Sequence, residues 1–300
     1  MTMSSISEHP PASWRVGNVP YLNVQPLIWA FQRGLVTPRD GDGTPLIFED
    51  VHPRKLARRL HAGEFDVAIV PVFEYFQHPI YAILRAGAIA TPRHVGSVQV
   101  FANDPIETLE GIYLDTASLT SINLLRILAA EHRWRVRFEE RRDGAGPTAT
   151  AKWTDGETLQ NSASSVGSLP PRWGCLLIGD PALQAVGRFR FAYDLGALWY
   201  ELTGLPFVFA AWLVHPSAKN AKLLDPFTKA RTVGCAHLEA IAEEWAPRLG
   251  ITADFALRYL RENLSYELHE AEIAGMREFA RLSERHGLCA AVPEFRYHER

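Results

Sequence analysis

Polar groups at the start of a predicted helix are the first residues in this 300-residue chain whose types and spacing could do chemistry. Asp115, Ser118, Thr120 and Ser121 stand between a predicted strand and a strongly apolar predicted helix. The first four amides of a helix lack partners and the helix dipole favours negative charge, so such an entry can bind an anion. Capping of the helix by Ser118 or Thr120 is the alternative. The number of polar groups exceeds what a cap needs, and both interpretations stay open.

Three further turns carry residues that could meet a ligand. Tyr21 and Asn23 bracket a strand-to-helix turn, and ligands of α/β proteins bind at that edge of the sheet. Ser97 follows a glycine at the start of a strand, where a small neighbour permits close approach. Gly179 and Asp180 end a buried strand. Helix capping is the alternative for both Asn23 and Asp180.

A general acid or base is less evident. Glu74 follows an apolar strand and could move a proton, although a solvated turn carboxylate fits the pattern as well. His78 and His94 are isolated in sequence, and a surface or structural role is expected for each. The chain has no phosphate loop, no dinucleotide fingerprint, no zinc-protease motif and no nucleophile elbow, and its three cysteines lack zinc-ligand spacing. We therefore expect no metal and no organic cofactor.

Strands alternating with helices predict an α/β protein with sheets rich in parallel strands. The pattern restarts near residue 100 and returns near residue 205, which predicts two lobes with a cleft between them. The first lobe is discontinuous, 14–100 and 206–300, and the second is 101–205, with hinge segments near 97–102 and 205–211. The stretch 143–171 is rich in Gly, Ser, Thr and Ala and is interpreted as a mobile insertion in the second lobe.

The composition indicates which classes of binding partner to expect. The chain is 47% hydrophobic and 22% charged, with a formal net charge of −3, so no basic surface for nucleic acid is indicated. The longest apolar stretch, Leu205 to Val214, is too short to span a bilayer, and the N-terminal residues do not read as a secretory signal. A cytoplasmic protein without a membrane or nucleic-acid partner is expected. A homodimer stays an open alternative.

Several of these motifs occur together in one known family. The chain resembles the menaquinone-biosynthesis chorismate dehydratases of the futalosine route in RVGNVPYLNVQPL, FDVAIVPVFEYF, GSV at 96–98, SLTS at 118–121, LLIGDPAL, DLGALWYELTGLPFVFAAW, and a terminal helix with Tyr266 and Glu272. The resemblance implies a periplasmic-binding-protein-like fold of type II. It also implies conversion of chorismate to 3-[(1-carboxyvinyl)oxy]benzoate and water without a cofactor. The 143–171 stretch departs from the family in length, and the basic helix at 54–59 has no family role.

The reaction indicates what the site must supply. Chorismate carries two carboxylates, so the Ser118–Ser121 helix entry could hold one and amides near Asn23 or Ser97 the other. Asn23 is expected to orient the substrate and its leaving hydroxyl. The base would be Glu74 or the substrate's own side-chain carboxylate. A non-catalytic small-anion binding protein, a metabolite sensor and the naphthoate-releasing sister enzyme of the pathway are the alternatives.

Overall fold

The structure is a computed structural model that describes residues 11–115, 117–140, 151–154, 157–161 and 169–300. Most of the expected insertion, 143–171, lies outside the described residues. The strands are β1 (Trp14–Asn18), β2 (Leu46–Asp50), β3 (Val67–Pro71), β4 (Ala82–Thr91), β5 (Val98–Ala102), β6 (Gly111–Leu114), β7 (Arg137–Glu140), β8 (Ala151–Thr154), β9 (Glu157–Asn161), β10 (Trp173–Ile178), β11 (Phe191–Asp194), β12 (Phe207–Val214) and β13 (Tyr297–His298).

The α-helices follow most of these strands, as crossover units require. They are α1 (Gln25–Gln32), α2 (Pro53–His61), α3 (Phe73–Gln77), α4 (Leu119–Glu131), α5 (Asp180–Ala185), α6 (Leu195–Thr203), α7 (Leu224–Cys235), α8 (Leu238–Leu249), α9 (Ala253–Arg258) and α10 (Glu270–Arg285). Short 3-10 turns cover Leu22–Val24, Ile106–Thr108 and Pro216–Ala218, and a π-helical turn, Tyr259–Asn263, continues α9. No helix of the described chain is long and apolar enough to cross a membrane.

The first lobe is built on a sheet in the order β13-β4-β12-β3-β1-β2 among the described residues. Strands β1, β2 and β3 are parallel, and β12 runs antiparallel to β3 and β4. Central strand β3 is buried except at its last residue, which explains its continuous apolar sequence. On α2, Leu56 and Leu60 are fully buried while Arg59 pairs with Glu49 and Glu64. The basic helix therefore packs through its leucines and exposes its charges.

The second lobe is built on a sheet in the order β11-β5-β10-β6-β7. Strand β5 runs antiparallel to β10 and β11, and β6 is parallel to β10 and β7. The sequence-based boundary at residue 100 falls inside β5, which belongs wholly to this sheet. The chain therefore enters the second lobe before Val98. Two sheets with helices around them confirm the expected two-lobed α/β fold.

Two short segments connect the lobes, one between Thr91 and Val98 and one between Thr203 and Phe207. The hinges expected at 97–102 and 205–211 overlap the ends of these crossings and run on into β5 and β12. Asp194 anchors the first crossing, because its carboxylate accepts the amides of Val95 at 3.1 Å and Gly96 at 2.6 Å. The second crossing lies against α10.

That second crossing depends on a glycine. Gly275 of α10 packs directly on Pro206, and a Cβ atom at this position would clash with the Pro206 carbonyl oxygen. A helix can approach another backbone this closely only where no side chain intervenes. The long C-terminal helix is thereby seated on a segment that joins the lobes.

Candidate functional site

The cleft between the sheets contains a cavity of about 60 Å³. Its wall comes from the turn after β1, the ends of β3 and β4, the first crossing, the start of α4, and strands β10 and β12. The lining residues are Val19, Tyr21, Asn23, Pro53, Ile69, Pro71, Ile89, Val95, Ser97, Val98, Ala117, Ser118, Ser121, Ile178, Phe209 and Ala210. Both lobes therefore contribute, and most of the wall is apolar, as is typical of small-molecule sites.

Asn23 lines this cavity and carries a buried polar atom without a partner in the described part of the chain. Its Oδ1 is buried and has no hydrogen-bond partner among the described residues. The residue lies in the 3-10 turn Leu22–Val24, and neither this turn nor α1 is capped by a side chain. The alternative that Asn23 is a helix cap is therefore wrong. A buried acceptor left unpaired costs about 1–3 kcal/mol, so a hydrogen-bond donor on a ligand would remove this cost.

Tyr21 lines one end of the cavity, and its ring packs against Gly179 of the second lobe. Gly179 has a φ of 69°, which favours glycine, and a Cβ there would lie 3.1 Å from the Tyr21 ring. Burial, with Asp115 and Asp180 nearby, raises the pKa of the Tyr21 phenol far above its ordinary value. Tyr21 thus stays neutral and can donate a hydrogen bond.

Asp180 holds the Asn23 turn without lining the cavity. Its Oδ1 accepts the Leu22 amide at 3.1 Å, a hydrogen bond from the first lobe to the second. Burial raises the pKa of this carboxyl to about 7. Gly179, not Asp180, is the residue before the first turn of α5, and no side-chain capping bond forms there. The alternative that Asp180 caps α5 is wrong; it positions the turn across the cleft.

Ser97 is linked to a residue that the sequence did not indicate. Tyr259 donates its hydroxyl to Ser97 Oγ at 2.8 Å, and a contact with Asn23 also acts on the phenol. Tyr259 is buried and opens the π-helical turn Tyr259–Asn263. Such turns are often found at functional sites. The sequence pattern predicts only that Tyr259 lies on the apolar face of an amphipathic helix.

The serines at the start of α4 divide their roles. Ser118 is the N-cap and accepts the Ser121 amide at 3.3 Å, and the Ser121 hydroxyl donates to Ser118 Oγ at 3.2 Å. Both serines line the cavity, so capping and ligand contact coexist here. Thr120 does not line it. Thr120 is fully buried, and its Oγ1 accepts a hydrogen bond from the Phe73 amide at 3.0 Å. This hydrogen bond joins the two lobes.

Glu74 does not line this cavity but a second one between the lobes. It lines a neighbouring cavity of about 170 Å³ that shares Pro53, Pro71 and Ala117 with the first. Tyr81 donates its hydroxyl to Glu74 Oε1 at 3.0 Å. Burial raises the pKa of the Glu74 carboxyl, opposed by the Tyr81 hydroxyl and two nearby imidazoles.

Among the described residues, the lining of the 60 Å³ cavity, called the cleft wall below, holds no carboxylate, imidazole, lysine or arginine, whereas the neighbouring cavity is lined by Glu74 and Glu140. The cleft wall offers hydroxyls, one carboxamide and the first amides of α4. Such a wall can bind anions and orient hydroxyl groups, but it supplies no strong base of its own.

The sequence matches the family described as "Menaquinone biosynthesis" over residues 14–157 and 168–285. This chain belongs to that family. Within it, the chain is 31% identical over 247 residues to a chorismate dehydratase of Thermus thermophilus, covering 76% of this chain and 83% of the relative.

Solved structures support the fold of this family member. Protein AF1704 from Archaeoglobus fulgidus aligns with a TM-score of 0.67 and 19% identity, over 93% of this chain and all of its own. The periplasmic aliphatic sulphonate binding protein SsuA of Escherichia coli aligns with a TM-score of 0.59 and 14% identity, over 95% of this chain and 90% of its own. The periplasmic-binding-protein-like fold expected from the sequence is confirmed.

Proposed function

We propose that this protein is a chorismate dehydratase, a hydro-lyase that converts chorismate to 3-[(1-carboxyvinyl)oxy]benzoate and water. Membership of the menaquinone-biosynthesis family and the identity with a chorismate dehydratase support this substrate. The observation that carries the proposal is the cleft wall: neutral hydrogen-bonding groups from both lobes and no titratable base. That wall suits a dianion that needs positioning more than strong acid–base help.

The two carboxylates of the substrate are held from the two sides of the cleft. Ser118 and Ser121, with the first amides of α4, bind one, because a helix N-terminus favours negative charge. Tyr21, as a neutral donor, and Ser97 bind the other. The apolar wall between them packs on the ring and fixes its orientation.

Asn23 orients the hydroxyl that leaves. Its unpaired Oδ1 accepts a hydrogen bond from the substrate hydroxyl. This hydrogen bond satisfies the buried oxygen and fixes the position of the hydroxyl group. Asn23 in turn is positioned by Tyr259 and by the Leu22–Asp180 hydrogen bond. Orientation of this kind can supply about 7–11 kcal/mol of barrier reduction.

The substrate's own side-chain carboxylate acts as the base. It takes the ring proton, the ring carbon–oxygen bond to the hydroxyl breaks, and the proton joins the departing hydroxide to form water. The ring becomes aromatic, and no protein group changes its protonation. Glu74 is the competing base, but it is hydrogen-bonded to Tyr81 outside the cleft wall.

The cavity must widen to admit this substrate. Small-molecule sites enclose about 300–1,000 Å³, whereas this one has about 60 Å³. The hydrogen bonds Leu22–Asp180 and Phe73–Thr120 join the lobes across it. Opening breaks such contacts, and reclosing around the ligand excludes water from the elimination.

Incubation of the purified chain with chorismate tests the proposal. The expected result is loss of chorismate with a matching gain of the aromatic product, followed by ultraviolet absorbance and mass spectrometry. Saturable binding of chorismate without product would refute the enzymatic activity and favour the small-anion binding protein. If the chain neither binds nor converts chorismate, chorismate is not its substrate.

The Glu74→Gln variant identifies the base in the same assay. If the substrate's carboxylate is the base, kcat stays within about tenfold of wild type. A general base contributes about 100- to 10,000-fold, so a loss in that range with intact chorismate binding would assign the role to Glu74.

A further inference from the structure

Beside the 60 Å³ cavity, one group of side chains has the composition of a metal site. His61 at the end of α2, Glu74 on α3 and His78 just after α3 each offer a ligand atom, and these atoms lie within 4.8 Å of one another. In the sequence the three residues are spread over eighteen positions without a recognised metal spacing. Helix α2 packs on β3, and α3 follows that strand directly, which brings the three residues together.

We propose that His61, Glu74 and His78 form a binding site for a divalent transition metal ion, with Zn²⁺ as the best fit to two imidazoles and one carboxylate. The site belongs to no step of the proposed dehydration, because the cleft wall does not include these residues. Its test is metal binding without substrate, which has an outcome separate from the turnover of chorismate.

The first argument is the burial of Glu74. Its side chain is only 5% exposed, and none of the described lysines or arginines forms an ion pair with it. Buried carboxylates are ordinarily paired with a cation or coordinate a metal, because taking a bare charge out of water is costly. Among the described residues, the imidazoles of His61 and His78 lie beside this carboxyl, so a cation bound by all three groups would pair its charge.

The second argument is the way Tyr81 orients two of the three ligands. Its hydroxyl donates to Glu74 Oε1 at 3.0 Å, so it accepts from His61 Nδ1, which lies at 3.2 Å. A proton on Nδ1 leaves the lone pair of His61 on Nε2. Metal-binding histidines almost always donate their other ring nitrogen to an oxygen in this manner.

The third argument is the spacing of the rings. The ring centroids of His61 and His78 are 4.1 Å apart with an interplanar angle of 37°. Rings this close can each direct a nitrogen lone pair at one shared ion. Ligands bound tetrahedrally at about 2.1 Å lie about 3.4 Å apart, so the observed groups need shifts of roughly 1 Å. His61 is exposed and can make that movement.

Titration of the untagged, full-length protein with Co²⁺ tests the site. A tetrahedral or five-coordinate Co²⁺ centre has visible d–d absorption, and Zn²⁺ should displace it at one equivalent per chain. His61→Ala and His78→Ala should each weaken binding by at least about 100-fold, and Tyr81→Phe by about 10- to 100-fold. Circular dichroism establishes that each variant is folded.

The matched control is His132→Ala. His132 is also an exposed histidine at a helix end, with its ring stacked on Trp134 at a centroid distance of 5.2 Å. It should leave the Co²⁺ spectrum and affinity unchanged. The proposal is overturned if wild type shows no saturable binding, or if His61→Ala binds as tightly as His132→Ala. A normal affinity in Tyr81→Phe would remove the orienting role of that tyrosine.

Discussion

Replacing Asn23 by alanine should separate catalysis from stability. Asn23 caps no helix, and its buried Oδ1 has no partner among the described residues. The substitution therefore breaks no hydrogen bond to Oδ1. Removing a buried, unsatisfied acceptor relieves a cost of about 1–3 kcal/mol, which offsets the packing lost with the side chain. We therefore expect the free energy of unfolding to stay within about 1 kcal/mol of wild type.

Turnover should fall much further. A hydrogen-bonding group that acts on the reacting atoms contributes about 100- to 1,000-fold to kcat, or about 2.7–4 kcal/mol. Asn23→Ala should show that loss in kcat for chorismate, measured as product formed per unit time at saturating substrate. Urea denaturation of the same preparation gives the stability.

Asn18→Ala is the matched control. Asn18 is a buried asparagine at the end of β1 whose Nδ2 donates to Asp50 Oδ1, and it does not line the cleft. Its Oδ1, like that of Asn23, is buried without a partner among the described residues, so the two variants differ in the lost hydrogen bond to Asp50. Asn18→Ala should therefore cost about 0.5–1.5 kcal/mol more stability than Asn23→Ala and leave kcat unchanged at a temperature where the protein is folded. The reasoning is refuted if Asn23→Ala turns over chorismate at the wild-type rate, or if both variants lose turnover in proportion to stability.

Three further predictions concern binding, pH and closure. Replacing Ser118 and Ser121 together by alanine should raise the dissociation constant for chorismate at least about tenfold by calorimetry, since each hydrogen bond to a charged group is worth about 1.5–3 kcal/mol. Because burial raises the pKa of Asp180 from 3.8 to about 7, folding disfavours its ionised form, so the stability of the wild type relative to Asp180→Asn should fall by up to about 4 kcal/mol as pH rises from about 4 to beyond 7. Urea titrations of both proteins measure this difference, and a difference that stays constant with pH would contradict the assignment. Saturation with an unreactive chorismate analogue should reduce the radius of gyration in small-angle scattering, and Thr120→Val, which leaves the Phe73 amide unpaired, should enlarge it in the free protein.

Local pattern was enough for the elements and for part of the site. The apolar run of β3, the helix that starts after Ser118 and the turn at Asn23 all have signals within a few residues, because hydrophobic period and helix entry are local properties. The expected residues Tyr21, Asn23, Ser97, Ser118 and Ser121 do line one cavity.

Where a contact joins distant segments, the sequence carried no signal. Thr120 looks like its serine neighbours, yet its hydroxyl is used by the Phe73 amide. Tyr259 looks like a core residue of an amphipathic helix, yet it reaches Ser97, 162 positions away. These outcomes depend on the angle and distance at which the lobes pack, and no short window encodes those.

The sequence by itself determined the fold class and the family and predicted an anion site at the helix entry, since each follows from composition and motifs in order along the chain. The tertiary structure decided which polar residues line the 60 Å³ cavity, which ones tie the lobes together, and that Glu74 lies beside two histidines. The physical reason is that burial and pairing of a polar side chain are properties of its neighbours in space. A threonine or a glutamate acquires its role only once folding has chosen those neighbours.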